Sequence, residues 1–450
     1  MGCWEEKLRE ALREDGRRCL EALLNDPSVK VPGDVTHPGE RCHARRPHTV
    51  DSLFGPLELR RNYYSRADQP SRRVPLDQSP GLVEGCTPGL ARLMCRAGAL
   101  EAFADASQSL REYVGVRVSG RPIQRLTQVL GPEFARWNQR QPAPAARPKG
   151  TPFYVEADGT GVPVRREETV GRAGKGEDGQ AKTREIKVGV VFTQDPPEAP
   201  APAPPGPPAQ IPAPGAASGA APALVETQLD AEPARPQRTP GSTRYVTTPQ
   251  NAQPLGQQLL DLARRQALAL ATWVVFLGDG AAWVWELARV GFPGALLILD
   301  FCHAAEPVGA LTEILFGNDT PEAERHRQAW VKILKDQEQG VERVIALAQQ
   351  AMPARGKVRR AAQKALAYFE NNRDKMRYGD YQQRPLFIGS GVVEAGCKSV
   401  VGQRLKQSGR FWSLAGAENI LSIRCVLENG QFNECWNQRF PAPQALPKAA

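Results

Sequence analysis

The sequence predicts an α/β protein in which a central sheet is followed by a long helical region. Apolar, β-prone segments end in aspartate at three places, FYVEAD (153–158), WVVFLGD (273–279) and ALLILD (295–300). Helix-periodic segments alternate with the last two of these strands. Residues 307–388 are mostly helix-prone. We therefore predict an α/β core interrupted by a helical insertion.

The core begins with three predicted strands that follow one another along the chain. FYVEAD is followed by a turn-like GTG, by the strand GVPVRRE and by the strand EIKVGVVFT. A helix from Leu255 to about Leu270 comes next, and then WVVFLGD, the helix AAWVWELARV and ALLILD. A three-strand meander followed by alternating helices and strands is the order of the RNase H-like fold. We assign this core to residues 152–306 and 389–425, with 307–388 as its insertion.

A Pro- and Ala-rich segment at residues 195–240 interrupts the core. Proline neither donates to a strand ladder nor continues a helix, and the segment has little to bury, so we predict a disordered insertion. Strand-like sequence on both sides, EIKVGVVFT and RYVTT, places it in a loop within one domain. The alternative is a docking segment for a proline-binding partner.

We predict a helical lead-in at residues 1–48, a mostly helical N-terminal DNA-binding region at 49–147 and a C-terminal tail at 426–450. Residues 99–132 resemble a helix-turn-helix, in which Ser119 caps the second helix. Ile123, Leu126 and Leu130 form the predicted buried stripe of that helix. The opposite face carries side chains of the types that read base edges in a major groove, namely Arg121, Gln124, Arg125 and Gln128. The alternative is an amphipathic helical hairpin with a solvated polar face.

Composition narrows the class of protein. The formal net charge of +9 is compatible with a polyanionic partner. The nine cysteines form no CxxC pair, which is typical of reduced thiols in a cytosol. Cys42, His43 and His48 lack a further cysteine at metal-ligand spacing, and we interpret them as polar loop residues. The sequence shows no signal peptide and no bilayer-length apolar segment, so we expect a soluble cytoplasmic protein.

Three aspartates follow the predicted strands of the core. Asp158, Asp279 and Asp300 each stand at a strand end, where ligands collect in open α/β sheets. We expect Gly159 and Gly280 to let the backbone turn sharply after the first two. Carboxylates on separate strands suit Mg²⁺, and two ions about 3.5–4 Å apart support in-line phosphoryl transfer. Any one of these aspartates taken alone is more often a turn or cap residue, and Asp300 alone predicts a helix cap.

Glu394 is the candidate third carboxylate. It lies in GSGVVEAGCKSVVGQRLKQSG, which has helical spacing and which Ser390 can cap. The predicted polar side of this helix, with one residue just beyond it, carries Lys398, Arg404, Lys406 and Arg410. These cations would lie where phosphates could be held beside a metal ion. The alternative for the glutamate alone is a surface helix position.

Long segments of the chain resemble the DDE transposases of bacterial insertion sequences. The resemblance is to the ISKra group, related to the Mutator-like superfamily, and runs from roughly Val50 to Phe440 outside the Pro-rich insertion. The segments that carry it are EADGTGVPVR (156–165), AKTREIKVGVVFT (181–193), FLGDGAAWVW (276–285), LILDFCHAAEPV (297–308) and GSGVVEAGCKSVVGQRLKQSGRFW (389–412). The last of these motifs is long and specific.

The resemblance implies that Asp158, Asp279 and Glu394 bind Mg²⁺, for which Mn²⁺ can substitute. It implies that Asp300 and His303 form a D-x-x-H element whose histidine lies near the active site. The alternative for His303 is a helix-start residue bonded locally. Relatives carry a short cysteine-pair motif where this chain has Ser65 and Asp68, so no zinc is predicted.

The implied function is an enzyme that binds the ends of its insertion sequence and then cuts and transfers DNA strands. The implied partners are the terminal inverted repeats and target DNA, with a homodimer or larger assembly on DNA and no membrane. We expect such a protein in the bacterial cytoplasm, at the nucleoid when bound. Two alternatives remain open: an RNase H-like nuclease without transfer, and a domesticated DNA-binding protein.

Overall fold

The computed structural model describes residues 2–26, 31, 33–78, 81–140, 151–174, 179–195, 236–266 and 268–441. Within these ranges the chain contains a three-stranded sheet and a five-stranded sheet, both surrounded by helices. No helix of the described ranges is long and apolar enough to cross a membrane. Most of the Pro-rich segment, for which the sequence predicts disorder, lies outside the described residues.

The N-terminal part packs a helix against an antiparallel sheet. The helix is α1 (Gly2–Asn25), and the strands are β1 (Arg41–Ser52), β2 (Gly55–Arg66) and β3 (Gln69–Arg73), in the order β1-β2-β3. A small apolar core consists of Val50, Leu57 and Leu59. The predicted boundary at residue 48 falls inside β1. The sequence does not predict this sheet because its strands are unusually rich in arginine and bury few apolar side chains.

Four helices come next: α2 (Pro75–Gln78), α3 (Pro88–Leu100), α4 (Phe103–Ser109) and α5 (Gly120–Arg140). A π-helical turn at Leu110–Val114 ends at Gly115, whose φ of +75° favours glycine. Two helices joined by this turn thus occupy the region of residues 99–132, and the first of them begins at Phe103. The predicted buried stripe of α5 is confirmed, since Ile123, Leu126 and Leu130 are at most 1% exposed.

The five-stranded sheet forms the centre of the molecule. Its strands are β4 (Pro152–Pro163), β5 (Thr183–Thr193), β6 (Arg244–Thr248), β7 (Trp273–Gly278) and β8 (Leu296–Leu299). The spatial order is β6-β5-β4-β7-β8, in which β4, β5 and β6 are antiparallel and β7 and β8 run parallel to β4. The predicted strands ending before Asp279 and Asp300 are confirmed.

The meander differs in detail from the prediction. FYVEAD and GVP (161–163) belong to one continuous strand, β4, and the third strand of the meander is RYVTT. The predicted turn at GTG is wrong because Gly159 pairs with Lys187 inside the ladder. The Glu185 side chain crosses the strand at this point: a Cβ atom on Gly159 would lie 2.1 Å from its Oε1, so a larger residue would displace that carboxylate.

The strands on either side of the Pro-rich segment pair with each other. The backbone N–H of Asp195 donates to the carbonyl of Gln237 at 2.9 Å, and Gln194 forms a bridge with Arg238. The segment therefore leaves and re-enters the same edge of the molecule as a loop between β5 and β6, as predicted.

Helices cover both faces of the large sheet. One face is covered by α6 (Ala252–Arg265) and α7 (Ala282–Gly291). The remaining helices up to residue 405 are α8 (Phe301–Phe316), α9 (Pro321–Asp336), α10 (Gly340–Ala351), α11 (Lys357–Asn372), α12 (Tyr378–Gln383), α13 (Gly391–Gly396) and α14 (Gln403–Leu405). They share a core with the other face of the sheet. The predicted helical character of residues 307–388 is thus confirmed.

The C-terminal residues are structured rather than a tail. The helices α15 (Leu414–Glu428) and α16 (Phe432–Arg439) pack against α3 and α5. Phe432 stacks on Phe134 with ring centroids 5.5 Å apart, and Trp436 is 5% exposed. The prediction of a tail from residue 426 is wrong up to Arg439, because these aromatic side chains complete the core of the N-terminal helices.

Candidate active site

The three predicted aspartates stand in register at one edge of the large sheet. The last parallel pair between β4 and β7 joins Glu156 to Leu277, and the last pair between β7 and β8 joins Gly278 to Leu299. If both pairings are extended to the residues that follow, Asp158, Asp279 and Asp300 come to lie side by side. Neighbouring strands lie about 4.8 Å apart. The edge therefore concentrates carboxylates where β7 and β8 end. Asp158 itself lies inside β4, which continues to Pro163, so its predicted position at a strand end is wrong.

The helix that carries Glu394 packs directly on β4. The backbone N–H of Val393 donates to Oε2 of Glu156 at 2.7 Å, and Sγ of Cys397 donates to Oδ2 of Asp158 at 3.3 Å. Glu156 and Asp158 are two residues apart on one strand, so both face this helix. The carboxylates of Asp158 and Glu394 both raise the pKa of the Cys397 thiol, although burial is the largest cause.

Ser390 connects Glu394 to Asp300. Its hydroxyl lies 2.9 Å from Oδ2 of Asp300 and 3.3 Å from Oε1 of Glu394, within donating distance of both. The Ser390 backbone N–H also donates to Asp300 at 2.6 Å. Ser390 occupies the N-cap position of α13, but its side chain makes no capping bond. The predicted capping role is wrong because the hydroxyl faces the buried carboxylate instead.

Asp300 caps α8, as predicted from the residue alone. Its Oδ1 accepts the backbone N–H of His303 at 3.0 Å and lies 3.1 Å from Nδ1 of the same residue. Burial alone would raise the pKa of Asp300, but the bonds from Ser390 and His303 outweigh it and lower that pKa. Burial alone would lower the pKa of His303. The bond to Asp300 and the negative charge of Asp279 outweigh burial and raise that pKa above its usual value. His303 is therefore bonded locally and lies within the field of Asp279.

The sequence does not identify Glu156 as part of this site. The side chain is fully buried, and its Oε1 has no hydrogen-bond partner among the described residues. Burial raises the pKa of Glu156 to about 8, and the charges of Asp300 and Glu394 add to the shift. The one available signal is the spacing E-x-D within a strand, which puts both carboxylates on the same face.

The donor types at this edge suit magnesium. Mg²⁺ is commonly held by one or two carboxylates together with waters, and the edge offers Asp158, Asp279 and Glu394. Within the described ranges, no three Asp, Glu, His or Cys side chains stand close enough together to hold one ion. Asp279 is oriented by the backbone N–H of Ala281, which donates to its Oδ1 at 2.9 Å.

The basic residues after Glu394 divide into exposed and buried positions. Lys398 and Lys406 are exposed, and Nζ of Lys406 donates to Oγ1 of Thr160, two residues beyond Asp158 on β4. Arg404 is 1% exposed, so the prediction that it lies on the polar side is wrong. Arg404 continues the i, i+4, i+7, i+11 series of Val393, Cys397 and Val400, so the helical spacing itself puts it on the buried face.

The polar face of α5 is open, as predicted. Arg121, Arg125 and Gln128 are exposed and Gln124 is half-buried. Arg125 lies 3.6 Å from Glu84, and Gln124 and Gln128 line a cavity that Arg404 and Arg410 also line. Arg410 lies 3.5 Å from Asp105. The structure thus brings Gln124 and Gln128 of the first predicted group together with Arg404 and Arg410 of the second.

The comparisons with known proteins give a distant structural similarity. No protein-family model matches the sequence, and no curated protein matches it. Among solved structures, the chain is similar to the Drosophila P element transposase strand transfer complex, at 9% sequence identity and a TM-score of 0.31. That similarity covers 76% of this chain and 92% of the other.

Proposed function

We propose that this protein is a DNA transposase of the DDE type, in which Asp158, Asp279 and Glu394 hold Mg²⁺. The observation that carries the proposal is the sheet register. It pairs Glu156 with Leu277, so that Asp158 and Asp279 follow at matching positions. The segment that carries Glu394 bonds to Glu156 through Val393 and to Asp158 through Cys397.

The topology supports an RNase H-like core. An antiparallel meander, β4 to β6, followed by two parallel strands in the order β6-β5-β4-β7-β8, is the arrangement expected of that fold. The helices α8 to α12 lie between Asp279 and Glu394, where the resemblance to ISKra transposases implies a helical insertion.

Each group at the edge has a distinct task in this proposal. Bound Mg²⁺ ions would activate a water or 3′-hydroxyl and stabilise the leaving oxygen. Ser390 and Asp300 hold the start of the Glu394 helix against the sheet through the bonds described above. His303 is held by Asp300 with its ring 42% exposed, so it can contact DNA that enters the edge.

DNA binding is proposed for two surfaces. Lys406 bonds to Thr160, two residues beyond Asp158, and Lys398 is exposed eight positions before it; both would hold phosphates of the strand being cut. The exposed face of α5 would read the element ends, that is, the terminal inverted repeats. We propose that the protein acts as a homodimer or larger assembly on element-end and target DNA.

The test is purified protein with Mg²⁺ and DNA duplexes that carry the inverted repeats flanking the gene, scored for nicking and for strand transfer. Asp158→Asn, Asp279→Asn and Glu394→Gln should each abolish cleavage and leave end binding nearly intact, because the amide keeps the shape but loses the ligand charge. Cleavage without transfer would indicate a nuclease. Binding without cleavage would indicate a DNA-binding protein that retains only the fold.

A further inference from the structure

A cavity of about 320 Å³ lies between α5 and the segment 404–416 that comes after the Glu394 helix. This volume is at the lower end of the range of about 300–1,000 Å³ for small-molecule sites. Three arginines line it, Arg165, Arg404 and Arg410, and no aspartate or glutamate does. All charged side chains of the lining are therefore cationic.

Arg404 is the unusual member of this lining. It is 1% exposed, and its guanidinium stacks between Phe103 and Trp412, with both ring centroids 4.8 Å away. Its Nε donates to the carbonyl of Gly98 at 3.0 Å. The other two guanidinium nitrogens have no hydrogen-bond partner among the described residues. Most of the donors of a buried cation are thus unused.

A buried guanidinium with unused donors is unfavourable unless an acceptor or a negative charge lies against it. Buried charges in proteins are normally paired, and a guanidinium fork matches the oxygens of a phosphate or carboxylate. The nearby acid Asp105 is 66% exposed and lies beside Arg410 instead. The two ring faces meet part of this charge, and an anion from outside the protein would supply the hydrogen-bond acceptors that the rings lack.

The remaining lining specifies what kind of anion fits. Phe411 is 62% exposed and offers a free aromatic face, on which a nucleobase can stack. The amides of Gln124 and Gln128 offer donors and acceptors suited to a base edge. A phosphate alone would leave the aromatic and amide groups unused, whereas a nucleotide engages all of them.

We propose that this cavity binds one unpaired nucleotide, with its phosphate on Arg404 and its base on Phe411. As a contact for a DNA strand, the site rests on the proposed function. As a nucleotide site it does not, since none of the carboxylates takes part.

The position of the cavity fits a strand of DNA that also reaches the carboxylates. The backbone N–H of Trp412 donates to the carbonyl of Pro163 at 3.2 Å, at the far end of β4. Pro163 lies five residues beyond Asp158, which is about 17 Å along an extended strand. That distance corresponds to about five base pairs of duplex DNA. The lysine that would hold phosphate, Lys406, stands between the two points.

The test measures binding by calorimetry to inorganic phosphate, dTMP, a single-stranded oligothymidylate and a blunt duplex, with EDTA present so that cleavage plays no part. Wild-type protein should bind dTMP more tightly than phosphate. Arg404→Met, which keeps a similar volume, should lower the affinity for dTMP and for the oligonucleotide at least tenfold. Phe411→Ala should weaken dTMP binding and leave phosphate binding unchanged. Arg289→Met, which removes an exposed charge on α7, is the matched control and should bind like wild type.

The two sources of nucleotide give different results. If oligothymidylate binds more tightly than both dTMP and the duplex, the site takes an unpaired nucleotide of a DNA strand. Equal binding of dTMP and oligothymidylate assigns it to a free mononucleotide.

Wild-type binding of dTMP by both Arg404→Met and Phe411→Ala would overturn the proposal. If Arg404→Met does not fold, Phe411→Ala decides the question, because this exposed ring contributes little to the core. A protein that binds dTMP but never cuts DNA would contradict the proposed function and leave the nucleotide site in place.

Discussion

The carboxylate edge and the Arg404 cavity lie at two points along the same strand and hold buried charge in different ways. At the edge, Asp300 receives four contacts from Ser390 and His303, so its charge is met within the protein. In the cavity, Arg404 has one hydrogen bond and two nitrogens without a partner among the described residues. A charge satisfied internally thus positions neighbouring groups, whereas an unsatisfied one is available to a ligand.

The largest expected effect concerns Glu156, which, unlike Asp300, is a buried carboxyl at the edge with one oxygen left without a partner among the described residues. Its pKa is raised to about 8 from 4.5, so its stabilising contribution is complete below pH 4.5 and is lost as the pH rises through 8. Glu156→Gln cannot ionise. In EDTA, wild type should lose stability relative to this variant by up to about 1.4 kcal/mol per pH unit across that window. Melting curves of both proteins at pH 5 and pH 8 measure the difference.

The control for this prediction is Glu418→Gln, which removes an exposed carboxylate on α15. Its melting temperature should follow wild type at both pH values. A Glu156→Gln curve parallel to wild type would mean that Glu156 does not change its charge over this range, and that the edge holds it as a carboxylate.

Asp300→Asn should cost about 3 kcal/mol of unfolding free energy, because an amide donor would face the N–H and hydroxyl of Ser390 in a buried place. Asp279→Asn is the matched variant, since this half-buried aspartate makes one capping bond and should cost about 1 kcal/mol. Urea unfolding in metal-free buffer compares the two. Similar losses would show that the bonds to Asp300 contribute no more than an ordinary cap.

Two buried arginines allow the same comparison for cations. Arg424 is also 1% exposed, but its guanidinium donates to the carbonyls of Ala99, Ser399 and Val400. Arg424→Met would leave these carbonyls unpaired and should cost about 2 kcal/mol or more. Arg404→Met leaves only Gly98 unpaired and should stay within about 1 kcal/mol of wild type. An equal loss in both variants would mean that Arg404 is a structural residue.

The smallest expected effect separates base reading from phosphate binding. Arg125 is 62% exposed on α5, and Arg125→Ala should weaken binding to the element end about tenfold more than to random DNA. Lys406→Ala should weaken both DNAs alike and make the salt dependence shallower. Titrations of both variants at several salt concentrations decide this. Equal losses on both DNAs for Arg125→Ala would leave α5 without a role in recognition.

The sequence predicts the elements whose apolar pattern is strong. The strands before Asp279 and Asp300, the buried stripe of α5 and the buried residues of the Glu394 helix can be read from periodicity, which burial enforces. Periodicity does not show which segments form the strands of the meander. DGTG has the composition of a turn, and only the pairing of Gly159 with Lys187, under the side chain of Glu185, keeps it extended.

Two site residues depend on contacts that periodicity does not encode. Glu156 appears in the sequence as one more residue of an apolar strand, and its role depends on Val393, more than 200 positions away. Arg404 lies on the buried face that Val393, Cys397 and Val400 define, but the rings of Phe103 and Trp412 that hold its guanidinium there are not indicated by that spacing. The sheet β1 to β3 and the packing of α16 likewise arise from tertiary contacts.

The paired ends of the Pro-rich loop make this loop a suitable site for the insertion of a second domain. Because Asp195 and Gln237 are already hydrogen-bonded across the exit, the intervening chain is closed at its base whatever its length. Each doubling of such a loop costs only about 0.6 kcal/mol in closure entropy. A fluorescent protein with adjacent termini, placed between these residues, would report on the protein in living cells while β5 and β6 remain paired.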